Sequence, residues 1–446
     1  MKHLNSKGVL CMLVGLLPLF ITLGGGYYLI RLRAFFIFHP RKTLSILLSH
    51  CKSEGRGSLS RMSLALAGTL GVGNVTGVAA GILIGGAGSV FWLFLSALFS
   101  APLTYAESVA VLSASGEKKH GFPSFLCFRF RMLGKPLASL YAVLSVLLAL
   151  AMGSALQSAA VAETAGALGG KSAPFLPMLF FSLLLMIFIL GSSDKICRVT
   201  LVLIPLAFVL YTILCIITIF SNISRFLPTV FVILEDALSL RSFAGGAVGS
   251  SFLLAVREGF LRGLLSNEAG AATSAYAHAK SYNPSPVAEG ILGMGEILFD
   301  TVILCMLTAF SILLSVEDLS VYQNGMDLLS AAFSSVLGEV CRIPLFASVF
   351  LFALSTSVCW YEYGRCALRF LGRRREALFF ALYVCAALFG AHLGSMALIP
   401  LCDALLFSLT AIALPPLLKN ATATCALTEQ ALQIGKAARI KTTRGS

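Results

Sequence analysis

The sequence has few charged residues for its length, and acidic residues are the rarer kind. Of its 446 residues 12% are charged, with 20 aspartates and glutamates against 33 lysines and arginines. A soluble protein carries about 25% charged residues. Hydrophobic residues make up 58% of the chain, and the mean hydropathy is +0.90. These values exclude an ordinary soluble domain and predict an all-α polytopic membrane protein that is surrounded by membrane lipid.

The sequence also lacks the patterns of enzymes and of metal centres. Its 12 cysteines show neither a CxxC pattern nor a Cys/His metal-ligand spacing, so we expect buried thiols. The six histidines are scattered, and no HExxH or GxSxG pattern is present. We therefore predict that the protein is not an enzyme, has no catalytic residue, and needs no cofactor other than a coupling ion.

Hydrophobic segments divide the chain into about eleven predicted transmembrane helices. Residues 1–61 hold one extra N-terminal helix, Val9–Ile30, and a basic cytoplasmic loop. Ten core helices follow, five in residues 62–220 and five in residues 243–418, and residues 419–446 form a polar cytoplasmic tail that we expect to be disordered. The predicted core helices are 62–86, 89–113, 136–165, 174–191, 196–220, 243–277, 286–315, 343–371, 377–394 and 396–418.

The placement of the basic residues predicts the orientation of the chain. The net charge of +13 could suit a nucleic-acid partner, but the lysines and arginines fall in short loops between hydrophobic segments. Loops on the cytoplasmic side of a membrane are enriched in these residues. The basic loops follow the extra helix and every second core helix. We therefore predict an outside N-terminus, a cytoplasmic C-terminus and no nucleic-acid partner, in a plasma membrane such as the bacterial inner membrane.

The first core helix is predicted to be broken. Leu64–Gly88 carries several glycines and Asn74 in its middle, and each glycine costs a helix interior about 1 kcal/mol relative to alanine. We predict half-helices over 63–70 and 75–84, with an unwound hinge at 71–74. The alternative is a continuous helix that packs closely against a neighbour through glycines at every fourth position. Both can hold, with the close packing confined to the second half-helix. These glycines are Gly73, Gly77, Gly81 and Gly85.

The sixth core helix has the same composition. Arg257–Ala279 reads REGFLRGLLSNEAGAATSAYAHA, in which polar and small residues follow an apolar approach. Non-helical backbone at membrane depth must line a cavity or bind something, because lipid offers it no hydrogen bonds. Interrupted spans at matching positions of two halves indicate the binding site of a transporter.

The motifs in both broken helices resemble those of the alanine or glycine:cation symporter (AGCS, sodium:alanine symporter) family. That family carries a motif close to GTGNIAGV, where Gly71–Val78 reads GVGNVTGV. It also carries SNEAGLGSAPIAHA, where Ser266–Ala279 reads SNEAGAATSAYAHA. The resemblance implies a five-plus-five inverted repeat with the leucine-transporter-like (LeuT-like) fold of the APC superfamily. This chain departs from the family at Val72, which replaces a threonine, and in the small residues after Gly270.

The resemblance implies a cation-coupled symporter, with sodium as the expected cation, that imports a small neutral amino acid such as alanine or glycine by alternating access. The substrate carboxylate would meet amides at a half-helix N-terminus, and its ammonium would meet free carbonyls. Gln157 could contact substrate or form an interhelical hydrogen bond, and Trp360 could cap the site or fill core space. The predicted substrate-binding residues are Gly71, Gly73, Asn74, Val75, Thr76, Gly77, Gln157, Ser266, Asn267, Gly270, Ala271 and Trp360.

In this fold a sodium site joins the first hinge to the eighth core helix. The alternative for the two hydroxyls of the eighth helix is a hydrogen bond to their own helix. The predicted sodium ligands are Thr69, Leu70, Val72, Ser355 and Thr356. Ionisable residues inside membrane spans are functional by default. The buried acids, which could couple ions or tie hinge amides together, are Glu107, Glu268, Glu296 and Asp300. For Glu268 we favour the structural tie.

Other functions stay open from the sequence. The missing hydroxyl at Val72 and the buried acids keep a proton-coupled or exchange-type amino-acid transporter as the alternative. A nutrient sensor that uses a transporter fold without transporting is a more distant alternative, because it would normally need a signalling domain or a long cytoplasmic tail. The polar tail here is short.

Overall fold

The computed structural model describes residues 15–54, 64–114, 120–130, 132–169, 175–191, 193–238, 246–279, 285–372 and 375–443, and these residues form helices with no strand. The helices are α1 (Leu17–Arg31), α2 (Phe35–Phe38), α3 (Pro40–Glu54), α4 (64–69), α5 (Thr76–Gly85), α6 (Gly88–Ser113), α7 (Phe122–Arg129), α8 (Gly134–Leu148), α9 (Leu156–Gly169), α10 (Phe175–Ile189), α11 (Ser193–Ser221), α12 (Phe226–Leu238), α13 (Gly246–Asn267), α14 (Ala275–His278), α15 (Pro286–Ile297), α16 (Met306–Ser315), α17 (Gly325–Leu337), α18 (Arg342–Leu371), α19 (Glu376–Leu393) and α20 (Ser395–Thr443). Two π-helical segments, Ala149–Ala155 and Leu298–Cys305, join α8 to α9 and α15 to α16.

Seven helical stretches of the described residues are long and apolar enough to cross a membrane. Every predicted core helix overlaps at least one described helix, so the all-helical polytopic fold is confirmed. The count of eleven spans stays a prediction, because only these seven stretches of the described residues reach both the length and the hydropathy of a full span. The predicted starts at Val9, residue 62 and residue 243 lie outside the described residues.

The predicted break in the first core helix is confirmed. Gly71 and one turn of 3-10 helix, Val72–Asn74, separate α4 from α5. Gly71 is extended, with φ −126° and ψ −167°, so the chain leaves the helical conformation there. Close packing is present as well, because a Cβ on Gly73 would lie 3.3 Å from the carbonyl oxygen of Leu265 on α13. The break and the glycine packing therefore occur together.

The second break, between α13 and α14, is longer and more irregular. It contains three residues with positive φ: Glu268 at 55°, Gly270 at 86° and Ala272 at 60°. This backbone conformation suits glycine and costs other residues about 1–2 kcal/mol. The surroundings must therefore hold Glu268 and Ala272 in place.

The expectation of a disordered tail from Lys419 is wrong. The last core helix does not end at residue 418 but continues as α20 to Thr443. The Tyr28 hydroxyl of α1 donates to the Leu417 carbonyl at 2.5 Å, and the Tyr105 hydroxyl of α6 lies 2.6 Å from Thr428 Oγ1. These contacts give a polar segment a packing partner, which hydropathy along the chain does not register.

Two further helices, α12 and α17, lie in predicted connections. The Asp236 carboxylate of α12 accepts a hydrogen bond from the Gly88 amide at 2.6 Å and so caps the start of α6. Asn324 caps α17 by accepting from the Asp327 amide at 2.9 Å. The connection 316–342 between two predicted core helices is therefore largely helical.

Candidate functional site

Asp300 joins the two hinges. Its carboxylate accepts hydrogen bonds from the Asn74 amide group in the first hinge and from the Ser266 hydroxyl, at 2.5 Å, at the end of α13. Thr301 Oγ1 lies 2.8 Å from the same carboxylate and accepts from Asn267 Nδ2 at 3.1 Å. All five side chains are buried. Both hinges and the π segment after α15 thus form one polar cluster, and π segments are frequent at functional sites.

The first hinge places the predicted carboxylate-binding residues at a helix N-terminus. The Thr76 hydroxyl donates to the Val72 carbonyl at 2.8 Å, and the Val75 amide donates to the same carbonyl at 3.1 Å. Gly77 follows in the first turn of α5, and a Cβ on it would lie 3.4 Å from Leu265. The amides of a first helical turn lack intrahelical partners and carry positive partial charge, which suits an anionic group.

Gln157 forms the interhelical hydrogen bond that the sequence left as an alternative. Its Oε1 accepts from the Val72 amide of the first hinge at 3.3 Å, and its Nε2 donates to the Met152 carbonyl at 3.0 Å. It lies in the first turn of α9, directly after the π segment that follows α8. A direct contact between Gln157 and a substrate stays a prediction.

One of the two predicted hydroxyls of α18 reaches the first hinge. Thr356 Oγ1 donates to the Leu70 carbonyl at 3.2 Å. Ser355 Oγ lies 2.9 Å from carbonyls of its own helix, and Thr69 Oγ1 lies 3.4 Å from the Leu66 carbonyl, also in its own helix. The structure therefore brings together Thr356 and Leu70 from the predicted sodium set. It does not direct the hydroxyls of Ser355 and Thr69 toward them.

Trp360 packs beside the same hinge. Its indole Nε1 donates to the Gly68 carbonyl at 3.3 Å, and the side chain is fully buried. A Cβ on Gly153 would lie 2.2 Å from the Trp360 Cβ, so the tryptophan also fills space between α18 and the π segment after α8. The described contacts are those of a core residue, and a capping role stays a prediction.

Backbone groups of the second hinge are held by side chains from other helices. The Glu107 carboxylate of α6 accepts from the Gly270 amide, and the Tyr141 hydroxyl of α8 donates to the Ala271 carbonyl at 2.7 Å. Within the hinge, Thr273 donates to the Glu268 carboxylate at 2.5 Å. The carboxylate that holds a hinge amide is therefore Glu107, whereas Glu268 accepts from a hydroxyl and its Oε1 has no hydrogen-bond partner among the described residues, so the structural tie favoured for Glu268 stays a prediction. Tyr141 was missed, and a tyrosine within a predicted apolar span was the signal for it.

Glu296 lies away from the hinge cluster. Its Oε1 is 3.2 Å from Nε2 of His278, whose Nδ1 is 2.8 Å from Oε2 of Glu289. Neither His278 nor Glu289 was predicted as a site residue. The sequence did contain signals for both residues. His278 lies within the SNEAG–AHA motif, and Glu289 and Glu296 are spaced i, i+7, which places them on one helix face.

A second group of buried charges was also missed. Arg262, one turn before the second hinge, has Nη2 2.8 Å from Asp403 Oδ2 and 3.3 Å from Glu258 Oε2. All three side chains are buried, and the contact with Asp403 joins α13 to α20. An arginine and an aspartate inside predicted spans were the signal, because such charges are costly in a membrane unless they are paired.

A cavity of about 440 Å³ lies elsewhere, between α3, α6 and α15 with its π segment. Its lining is apolar and includes Leu44, Phe94 and Leu298. None of the predicted site residues lines it. We place the candidate site at the hinges, where polar groups from separate helices converge, rather than at this cavity.

Comparison with known proteins gives the family of the chain. A family model described as the sodium:alanine symporter family matches residues 5–440. An uncharacterized transporter of Haemophilus influenzae is 30% identical over 388 residues, which cover 84% of this chain and 84% of that protein. The sodium/alanine symporter AgcS of Methanococcus maripaludis is 26% identical over 391 residues, with the same coverage of both chains.

A solved structure shares the fold. The crystal structure of MhsT in complex with L-phenylalanine aligns with a TM-score of 0.52 at 14% identity, and the alignment covers 84% of this chain and 98% of that one. This match shows a leucine-transporter-like fold, with two broken helices, as predicted from the motifs.

Proposed function

The chain belongs to the sodium:alanine symporter family, and we propose that it imports a small neutral amino acid together with a cation, by alternating access. Members of this family are transporters rather than enzymes, and the chain is an integral membrane protein. The observation that carries the proposal is the junction of both hinges at Asp300. Movement of either half-helix would change this junction.

The substrate side of the proposal rests on the first hinge. A zwitterion can place its carboxylate on the amides of the first turn of α5 and its ammonium on hinge carbonyls. The space is small, because a Cβ on Gly71 would lie 2.8 Å from Thr356 Oγ1 and 3.4 Å from Gln157 Oε1. Close packing at this glycine favours alanine, glycine or serine over amino acids with large side chains.

The cation side of the proposal rests on oxygens at the same hinge. Thr356 and the Leu70 carbonyl supply two oxygens 3.2 Å apart, and sodium is a hard cation that prefers such ligands. The buried Oδ1 of Asn74 has no hydrogen-bond partner in the described part of the chain, and it can supply a third. Sodium is therefore the first choice of coupling ion. The contact between His278 and Glu296 favours proton coupling as the second candidate.

Uptake into proteoliposomes tests the function. Purified protein is reconstituted, and uptake of labelled alanine, glycine and serine is followed with a sodium gradient or a pH gradient imposed separately. We expect alanine uptake that requires the sodium gradient. The variant Asp300→Asn should lose it, because a neutral amide cannot hold both hinges as the carboxylate does.

The matched control is Asp318→Asn, which removes a carboxylate from an exposed loop and should leave uptake intact. Uptake that follows the pH gradient and ignores sodium would favour the proton-coupled alternative. No uptake of any of the three amino acids under either gradient would contradict the proposal. Orientation needs intact cells, in which we expect a label on the C-terminus to be reached only from the cytoplasmic side.

A further inference from the structure

A buried imidazole lies between two buried carboxylates. His278 of α14 faces Glu289 through Nδ1 at 2.8 Å and Glu296 through Nε2 at 3.2 Å. Each of the three side chains is 1% exposed. Both glutamates belong to α15, whereas His278 belongs to the short helix after the second hinge. The imidazole therefore connects the short helix that follows the second hinge to a different helix.

The geometry sets the number of protons that this group holds. A neutral imidazole carries one N–H and an imidazolium carries two, whereas an ionised carboxylate only accepts. Both contacts are attractive when at least two protons are shared among the three groups, and two protons leave a net charge of −1. A third proton, on a carboxyl group, makes the group neutral. Net charge at membrane depth is costly, so the neutral form is favoured while the site is closed to water.

Glu296 is the carboxyl group best suited to carry the third proton. Glu289 accepts an aligned hydrogen bond from the imidazole. Neither oxygen of Glu296 has a hydrogen-bond partner among the described residues, although both are buried. A buried carboxylate without aligned hydrogen bonds loses its hydration, and the contact of Glu296 with His278 Nε2 at 3.2 Å replaces only part of it. Protonation of Glu296 removes that penalty.

Other titratable groups face this site from three neighbouring elements. Glu107 of α6 bonds to the Gly270 amide, and the rings of Tyr141 from α8 and Tyr363 from α18 pack on Tyr276, two residues before His278. Asp300 follows Glu296 by four residues on the next turn. These groups are acids and phenols, so His278 is the base among them.

We propose that His278, Glu289 and Glu296 form a proton-binding site, which releases the proton of Glu296 to solvent water when α14 moves away from α15. The transfer converts the carboxyl group and a water molecule into a carboxylate and a hydronium ion. This inference rests on the proposed alternating-access transport, because that cycle supplies the movement of α14. The proton joins the cycle in addition to the cation at the first hinge.

Infrared spectroscopy tests the site without any transport. The purified protein is titrated from mildly acidic to mildly alkaline pH, and the carbonyl band of buried protonated carboxyl groups is recorded. We expect a titrating band in the wild-type protein that is lost in Glu296→Gln. The matched control is Glu163→Gln, which alters a largely buried carboxylate bonded to Ser395 at the start of α20 and should keep the band.

Two results of that experiment would overturn the inference: no titrating band in the wild type, or a band that persists unchanged in Glu296→Gln. If Glu296→Gln does not fold, His278→Gln is measured instead. That variant removes the adjacent base, so the pH midpoint at which the carbonyl band titrates should shift. An unchanged pH midpoint would contradict the proposed site.

Alanine counterflow tests the link to transport. Exchange of labelled for unlabelled alanine needs no ion gradient, so it is measured at several pH values on the side expected to be cytoplasmic. We expect pH-dependent exchange in the wild type and in Glu163→Gln, and loss of the pH dependence with retained exchange in Glu296→Gln. The same pH dependence in Glu296→Gln would overturn the link. Absence of all exchange in the wild type would instead refute the proposed function, while the infrared result still decides the proton site.

Discussion

Two neighbouring hydroxyls on α18 have different surroundings, which makes them useful at the scale of single residues. Thr356 Oγ1 bonds to the Leu70 carbonyl of the first hinge, while Ser355 Oγ bonds within its own helix. The sequence could not separate them, because both residue types can bond to either partner. Only the rotation of α18 about its axis decides which one faces the hinge.

Replacing Thr356 by valine keeps the shape of the side chain and removes its oxygen. We expect the sodium concentration for half-maximal alanine binding to rise about tenfold, since one hydrogen-bonding oxygen is worth roughly 1.4 kcal/mol. Alanine binding at saturating sodium should be largely kept. Equilibrium binding of labelled alanine at a series of sodium concentrations measures both quantities. Ser355→Ala is the control and should change neither, and an equal effect of the two variants would move the cation site away from Thr356.

At the scale of elements, the two breaks differ in how far the sequence could predict them. Glycines and Asn74 mark the first break, and its predicted bounds match the structure within a residue or two. The second break includes Glu268 and Ala272 at positive φ, which sequence does not predict for such residues. The residues between them, Gly270 and Ala271, bond to Glu107 and Tyr141, which lie on other helices.

Gly270 is the residue of the second break that we expect to be least tolerant of a side chain. Its φ is +86°, and a Cβ there would lie 3.2 Å from Thr410 Cγ2. We expect Gly270→Ala to lose most alanine uptake and to destabilise the protein by about 1–2 kcal/mol. Gly338→Ala is the control, because Gly338 also has positive φ but no atom within 4 Å of its Cβ position. Measurements of alanine uptake and thermal stability on both variants test this prediction. Loss of uptake in both variants would indicate a general folding defect instead of a specific effect at Gly270.

Contacts between distant parts of the chain also bear on the helices that were not predicted from the sequence. α12 and the end of α20 are stabilised by contacts with distant helices, such as Asp236 with Gly88 and Thr428 with Tyr105. Hydropathy identifies segments that lipid will surround, and it identified every core helix. It does not identify α12, whose 13 residues are largely apolar but too few to span a membrane, or the polar end of α20, which contacts another helix through Thr428.

At the scale of the whole molecule, buried charges join helices that are distant in sequence. Arg262 and Asp403 lie 141 residues apart and make a buried ion pair at 2.8 Å. Removing one member of a buried pair costs about 3–5 kcal/mol when the other is left without a partner, and Glu258, 3.3 Å from Arg262, offsets part of that cost here. We therefore expect Asp403→Asn to lower the melting temperature of the protein clearly, as measured by differential scanning fluorimetry.

The control for this prediction is the ion pair of Arg225 with Glu317. Both side chains are exposed, and such pairs contribute about 0–1 kcal/mol. Glu317→Gln should therefore leave the melting temperature nearly unchanged. A similar small effect of Asp403→Asn would mean that water reaches the Arg262 cluster and that this pair does not hold α13 to α20.

The central claim for the whole molecule is that the two hinges form one site for an amino acid and a cation, joined by Asp300. Two ligands that share a site change one another's affinity by the same factor. The sequence located both hinges, but it did not place Asp300 between them, because the junction depends on how α15 packs against both breaks.

Calorimetric titration of the purified protein measures this coupling most directly. The dissociation constant of alanine is determined with and without sodium, and that of sodium with and without alanine. We predict that each ligand tightens the other by one common factor of at least about tenfold, or roughly 1.4 kcal/mol of coupling, and that Asp300→Asn removes it. Alanine affinity that is independent of sodium in the wild type, or coupling that survives in Asp300→Asn, would contradict the account.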